Sequence, residues 1–287
     1  MTKILTTISF LLLFSCSTTQ STKNNSSSEE EHDPYRIART IPEEYQMPVA
    51  LSEMFGTEIY FQDIAAWVVT DFLAEKGVLQ KDKRLKGWIV EKDSEKDELT
   101  DKMQVTFIGE VNGKLKGLHQ VKSKFNKVLE ESYVNPENGF DLTENQKSLF
   151  VARQTALKSE FMRCSERYNT VAFKFEMVDE DVIQNHTIVY LLAATTEANK
   201  IMAGGNYKFT LNESGDKILE SKALSKSCII LQKAEGVVGL TLSHIVEPTP
   251  NAVHVYLSLM HDVPLYVMTT ENKMLWKVDG NTISIVK

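Results

Sequence analysis

The chain has 287 residues, of which 42% are hydrophobic and 25% charged, and its formal net charge at pH 7 is −7. This is the composition of an ordinary globular protein, not of a disordered or fibrous one. The acidic balance argues against nucleic acid as a partner, and the short basic patch at residues 81–84 is interrupted by Asp82.

The first sixteen residues have the pattern of an export signal. Lys3 precedes an apolar run from Ile4 to Phe14, which is too short to cross a bilayer as a helix, since spanning takes roughly 20 residues. The run leads into Leu13-Phe14-Ser15-Cys16. We therefore expect residues 1–15 to be removed.

This stretch resembles a bacterial lipoprotein signal with its lipobox. Leu13, Ser15 and Cys16 match the lipobox pattern, whereas Phe14 is bulkier than the usual residue. The resemblance implies that Cys16 becomes the mature N-terminus, carrying diacylglycerol and an N-linked acyl chain such as palmitate. It also implies a place in the cell envelope, at a membrane or in the periplasm. Because Ser17 stands where inner-membrane lipoproteins often carry Asp, we expect the outer membrane. An ordinary cleaved secretory signal, with Cys16 incidental, is the alternative.

The mature chain divides into a tether and a domain. Residues 17–33 contain no aliphatic side chain, so they cannot bury enough apolar surface to fold by themselves. We take residues 16–45 as the lipidated cysteine and a flexible tether with a reach of about 30 Å. Residues 46–287 are then one α+β domain, with a possible subdivision near residue 165.

Two helices and a hairpin are predicted in the N-terminal half. Apolar residues at helical spacing predict a first helix from about Leu51 to Lys76, which ends at Gly77. Thr143 with Gln146 three residues later forms a capping-box pattern and predicts a second helix. Between the helices, alternating apolar residues on both sides of Asn112-Gly113 predict a β-hairpin.

From residue 170 onward the chain has short strand-like runs. They cover 170–178, 187–194, 206–211, 217–223, 228–232, 237–246, 252–260, 264–269, 273–278 and 281–286. The short spacings leave no room for helical crossovers, so we expect antiparallel pairing. The fold class is α+β, with a mainly antiparallel sheet in the C-terminal half and a few helices in the N-terminal half.

Lipidation of Cys16 would leave Cys164 and Cys228 as the remaining cysteines. In an exported protein they form either a disulfide or two separate buried thiols. A third interpretation makes Cys164 a nucleophile whose thiolate is favoured by neighbouring arginines. No accompanying Cys/His signature supports that interpretation.

The histidines close in sequence are candidate metal ligands. His244, His254, His261 and Asp262 could supply them. With residues 252–260 as the strand after 237–246, however, the leucine and valine faces place His244 inward and His254 outward, so the two rings would not meet. We therefore predict no metal and no cofactor. Standard catalytic motifs are also missing from the sequence, and no catalytic residue is assigned.

The first helix carries a possible ligand-binding strip. Asp63, Trp67 and Asp71 fall at i, i+4 and i+8, away from the main apolar face. An indole flanked by carboxylates can stack on a sugar ring or hold a cationic group. The simpler interpretation is that another segment covers Trp67 while both acids are solvated.

Three classes of function follow. The sequence favours a membrane-anchored envelope lipoprotein with a non-enzymatic binding or accessory role, its partner being an envelope protein, a glycan or a small ligand. The first alternative is an envelope hydrolase without a recognisable motif, using His244, His254, Ser243 or Cys164. The second is a structural or immunity-like lipoprotein that acts through a protein interface.

Overall fold

The fold begins with one long helix. A computed structural model describes residues 41–93, 101–179 and 182–286, so the signal and Cys16 lie outside the described part of the chain. Helix α1 (Glu43–Glu75) starts three residues inside the segment assigned to the tether and eight before the predicted start. It is about 50 Å long. Gly77, with φ of 67°, separates it from a short helix, α2 (Val78–Lys81).

The first sheet packs on the C-terminal half of α1. It consists of β1 (Leu85–Lys92), β2 (Lys102–Val111), β3 (Lys114–Lys124) and β4 (Lys127–Val134), which pair antiparallel in sequence order. The predicted hairpin is confirmed as β2 and β3. Asn112 and Gly113 both have positive φ, as a tight type I′ turn requires. Val69 and Leu73 of α1 are fully buried against this sheet.

The second sheet is the central layer. After helix α3 (Glu144–Lys158), the strands are β5 (Arg167–Asp179), β6 (Val182–Ala194), β7 (Lys200–Met202), β8 (Tyr207–Leu211), β9 (Ile218–Ala223) and β10 (Ile230–Gln232). The sheet order is β5-β6-β8-β9, while β7 pairs with β10 alone. Ile188 faces α1 and Val189 faces α3, and both are buried, because this sheet is covered on both faces. The Thr143 capping box at the start of α3 is confirmed.

The C-terminal part contains a crossover that the sequence analysis excluded. Strand β11 (Leu240–His244) is followed by helix α4 (Ala252–His261) and then by β12 (Leu265–Thr269), which runs parallel to β11. Strands β13 (Met274–Asp279) and β14 (Thr282–Ile285) complete this sheet in antiparallel order. The predicted strand over 252–260 is therefore wrong. Valines and leucines alternate in this segment, but it also has a helical pattern. Ala252, Tyr256 and Met260 recur every four residues after an Asn251 N-cap.

The predicted α+β class is confirmed, with mainly antiparallel sheets and helices mostly in the N-terminal part. The described residues belong to one compact unit. Among these residues, none of the helices is sufficiently long and apolar to span a bilayer.

Candidate functional site

A cleft of about 540 Å³ opens between α1, α4, the start of β5 and the segment that joins β6 to β7. Small or flexible apolar side chains form much of its wall, namely Ala66, Ala193, Met202, Leu257 and Met260. Polar side chains from α1 and β5 converge in it. A wall of this kind with a few placed polar groups is typical of small-ligand sites.

Asp63 is the buried acid of the cleft. It is only 9% exposed, and it accepts hydrogen bonds from the Tyr256 phenol at 2.8 Å and from the Asn169 amide at 3.0 Å. Burial raises the pKa of the Asp63 carboxyl, while the two hydrogen bonds oppose that rise. Both partners are neutral, so no described residue places a cation against the carboxylate, and an ionised carboxylate in such a place attracts one.

Trp67 lies one helical turn beyond Asp63 and lines the same cleft. Its side chain is 60% exposed, so the indole is uncovered and open to solvent. Asp71, two turns beyond Asp63, is exposed and does not line the cleft. The interpretation of both acids as solvated is therefore wrong for Asp63, because α4 and β5 cover it.

Further charges lie around Trp67 and Asp63. Arg167, the first residue of β5, is exposed and lines the cleft. Glu197 and Lys200, also in the lining, form an ion pair with each other at 2.6 Å. Burial, and then the charge of Lys233, lowers the pKa of His261, which keeps this ring neutral near pH 7.

Sequence reasoning missed Arg167, Asn169 and Tyr256. None of them belongs to a motif, and each reaches the cleft through its strand or helix. The available signal for Tyr256 was the helical period of α4 behind Asn251. Arg167 and Asn169 share one face of β5 at strand spacing, but nothing in the sequence relates that face to Asp63.

The structure joins Cys164 and Cys228 in a disulfide, with a Cα–Cα distance of 5.4 Å. The nucleophile hypothesis for Cys164 is therefore wrong, since a bonded sulfur carries no thiolate. The bridge links the segment before β5 to the segment before β10, and β10 pairs with β7 beside the cleft.

His244 and His254 meet, contrary to the register argument. Their rings are 4.9 Å apart in an edge-to-face arrangement, and each residue is 3% exposed. His254 lies in the first turn of α4, where its Nδ1 accepts the Asn251 backbone N–H at 3.0 Å. His244 Nε2 is 3.7 Å from the Glu247 carboxylate. Ser243 is exposed on the opposite face of β11, so it does not approach them.

A third polar cluster ties α2 to the first sheet. His119 contacts the Asp82 carboxylate through Nε2 at 3.2 Å and the Tyr133 phenol through Nδ1 at 3.1 Å. Arg84 holds both oxygens of Asp82 and, as the largest cause, lowers the pKa of that carboxyl to about 2. None of these four residues lines the cleft, and the hydrogen bonds among them indicate a structural role.

No group of three or more His, Cys, Asp or Glu side chains in the described ranges is arranged to hold a metal ion. Asp262 ends α4 with a left-handed backbone, and His261 before it belongs to the cleft. Comparison of the chain with protein-family models, curated proteins and solved structures found no match.

Proposed function

We propose that this protein is a lipid-anchored component of the bacterial envelope that binds a small organic ligand in the cleft beside α1. The observation that carries the proposal is the pair of Asp63 and Trp67, which line one cleft of about 540 Å³ from successive turns of α1. The carboxylate accepts a hydroxyl or an ammonium group, and the exposed indole offers a flat apolar surface to the rest of the ligand.

A binding role is favoured over hydrolysis because the candidate catalytic groups are engaged elsewhere. Cys164 is bonded to Cys228, and His244 and His254 are sealed in the core with 3% exposure each. A hydrolase needs a nucleophile and a base within hydrogen-bond reach of a substrate.

The anchor rests on the resemblance of Leu13, Ser15 and Cys16 to a lipobox. Two or more acyl chains give stable membrane attachment, and Ser17 favours the outer membrane. The intact mass of the native protein tests this step. A mature N-terminus at Cys16 with the mass of three acyl groups supports the anchor, whereas an unmodified Cys16 would contradict it.

Titration of tryptophan fluorescence tests ligand binding by the cleft. Ligands that cover Trp67 should shift its emission to shorter wavelengths in a saturable manner, because the free indole is 60% exposed. The panel contains neutral sugars, alkylamines and amino acids, and calorimetry measures the same affinities independently. We expect Trp67→Ala to weaken binding at least tenfold.

Asp71→Ala is the matched control, since Asp71 lies on the same helix but outside the cleft lining. It should bind like the parent protein. Calorimetric affinities that are the same for Trp67→Ala and the parent, or no saturable binding of any panel member, would contradict the proposed function.

A further inference from the structure

Two opposite charges in the cleft have no charged partner among the residues that the structure describes. Asp63 is held by the neutral groups of Tyr256 and Asn169. The guanidinium of Arg167 forms no ion pair or hydrogen bond with any residue that the structure describes. The two residues line the same cleft without approaching each other to ion-pair distance. Each is therefore free to pair with a charge on a ligand.

Their positions on the fold separate the two charges. Arg167 and Asn169 point to the same face of β5, two residues apart, which corresponds to about 7 Å along a strand. The Asn169 amide donates a hydrogen bond to Asp63, so the carboxylate lies at the Asn169 end of the Arg167–Asn169 pair. Asp63 is nine-tenths buried whereas Arg167 is exposed, which puts the negative charge deep and the positive charge at the mouth.

The remaining charges of the cleft do not compete for these positions. Glu197 and Lys200 neutralise each other at 2.6 Å. Burial lowers the pKa of His261, so its ring does not add a positive charge near neutral pH. Among the described residues of the lining, Asp63 and Arg167 are thus the two charges that a ligand would have to match.

We propose that the ligand is a zwitterion, with its ammonium group against Asp63 and its carboxylate or phosphate against Arg167. This inference rests on the proposed function of the same cleft. A neutral ligand would leave both protein charges unpaired, and an amine alone would leave Arg167 without an anion. The methylene groups between the two ligand charges lie against the apolar wall that includes Met202 and Met260.

This chemistry occurs in two sources, ω-amino acids or short peptides and the headgroup of an aminophospholipid. In both, an ammonium group enters first and an anionic group remains at the mouth. Flotation of the Cys16→Ser protein with phosphatidylethanolamine vesicles, compared with phosphatidylglycerol vesicles, separates the sources. Preferential flotation with phosphatidylethanolamine that is lost in Asp63→Asn identifies the headgroup, whereas equal flotation assigns the site to a free solute.

Three matched small molecules test the proposal by calorimetry: 5-aminopentanoate, pentylamine and pentanoate. O-phosphoethanolamine represents the phosphate form. We expect at least one of the two zwitterions to bind at least tenfold more tightly than either single-charge compound. Asp63→Asn and Arg167→Gln should each remove that tenfold advantage, with circular dichroism confirming that both variants are folded.

Asp71→Asn and Arg163→Gln are the matched controls, since both residues are exposed and neither lines the cleft. They should retain the tenfold advantage. If pentylamine binds as tightly as the zwitterions, or if a neutral sugar binds in a Trp67-dependent manner and no zwitterion does, the inference is overturned while the proposed function stands. If no compound of the whole panel binds, both fail.

Discussion

The phenol of Tyr256 donates a hydrogen bond to the Asp63 carboxylate at 2.8 Å, although 193 residues separate the two in the chain. Asp63 belongs to α1 and Tyr256 to α4, so the floor of the cleft exists only after the first and last helices have packed together. The buried charge in the site therefore depends on a contact between residues that are far apart in the sequence.

Tyr256→Phe tests this contact. The variant leaves the buried carboxylate with Asn169 as its remaining hydrogen-bond donor, so we expect the free energy of unfolding to fall by about 1–3 kcal/mol. Adding Asp63→Asn should recover part of the loss, because the buried charge is then removed. Urea denaturation of the parent, the two single variants and the double variant measures the coupling between Tyr256 and Asp63.

Tyr266→Phe is the control, and we expect it to change the free energy of unfolding by less than about 0.5 kcal/mol. Additive effects of the two changes would contradict the account.

Gly56 allows the two helices to approach. A Cβ at this position would lie 2.4 Å from Cβ of Val255 and 2.6 Å from the Ala252 carbonyl oxygen of α4. Ordinarily Gly→Ala within a helix stabilises by about 1 kcal/mol. Here we expect Gly56→Ala to destabilise by about 1–3 kcal/mol, because α4 must move away from α1.

Chemical denaturation measures the effect of Gly56→Ala, and the test is whether the free energy of unfolding falls or rises. Ala50→Gly on the exposed side of the same helix is the matched control and should cost about 1 kcal/mol by propensity alone. A Gly56→Ala protein more stable than the parent would show that the helices are not in close contact.

Removal of the Cys164–Cys228 bridge should destabilise the protein. The bridge closes a loop with a sequence separation of 64 residues, for which the chain-entropy argument gives about 4 kcal/mol. We expect the parent to lose stability on addition of a reductant and the Cys164→Ser/Cys228→Ser protein to be equally unstable with and without it. Thermal unfolding measures both, and non-reducing peptide mapping identifies the bridge. A parent insensitive to complete reduction would contradict the prediction.

Stability should fall in mild acid through His254. Burial, and then the charge of His244, lowers the pKa of His254 to about 3, with Glu247 opposing the shift. In the unfolded chain a histidine has a pKa of about 6.5, so between these values the unfolded state binds the additional proton. The contribution of His254 is therefore complete above about pH 6.5 and is lost as the pH falls towards 3. We expect a loss on the order of 3 kcal/mol between pH 7 and pH 4.

His254→Gln isolates that contribution, because glutamine at this helical position also accepts the Asn251 backbone N–H. The free energy of unfolding of the variant should depend less on pH between 7 and 4 than that of the parent. His186→Gln, at an exposed hydrogen bond of β6, is the control and should keep the dependence of the parent. Identical slopes for His254→Gln and the parent would contradict the prediction.

Local patterns in the sequence predicted the elements whose signals lie within a few residues. The Thr143–Gln146 capping box and the Asn112-Gly113 turn were predicted correctly, because a side chain bonds the nearby backbone in one and positive φ is required in the other. Residues 252–260 were misread because apolar residues there satisfy both a period of two and a period near four. The Asn251 N-cap and the packing of Tyr256 and Val255 onto α1 together select the helix.

For the cleft, helical spacing alone placed Asp63 and Trp67 on successive turns of one helix. Whether either side chain is buried depends on what packs over α1, and no local pattern in the sequence places α4 or the start of β5 there. Asn169, Arg167 and Tyr256 reach Asp63 or its cleft from distant parts of the chain, through long-range contacts that no local pattern encodes. The sequence by itself thus determined the helix and the positions of Asp63 and Trp67 on it. The tertiary structure decided which of the two side chains is buried and which charges share the cleft, because burial depends on the neighbouring elements and not on spacing along the chain.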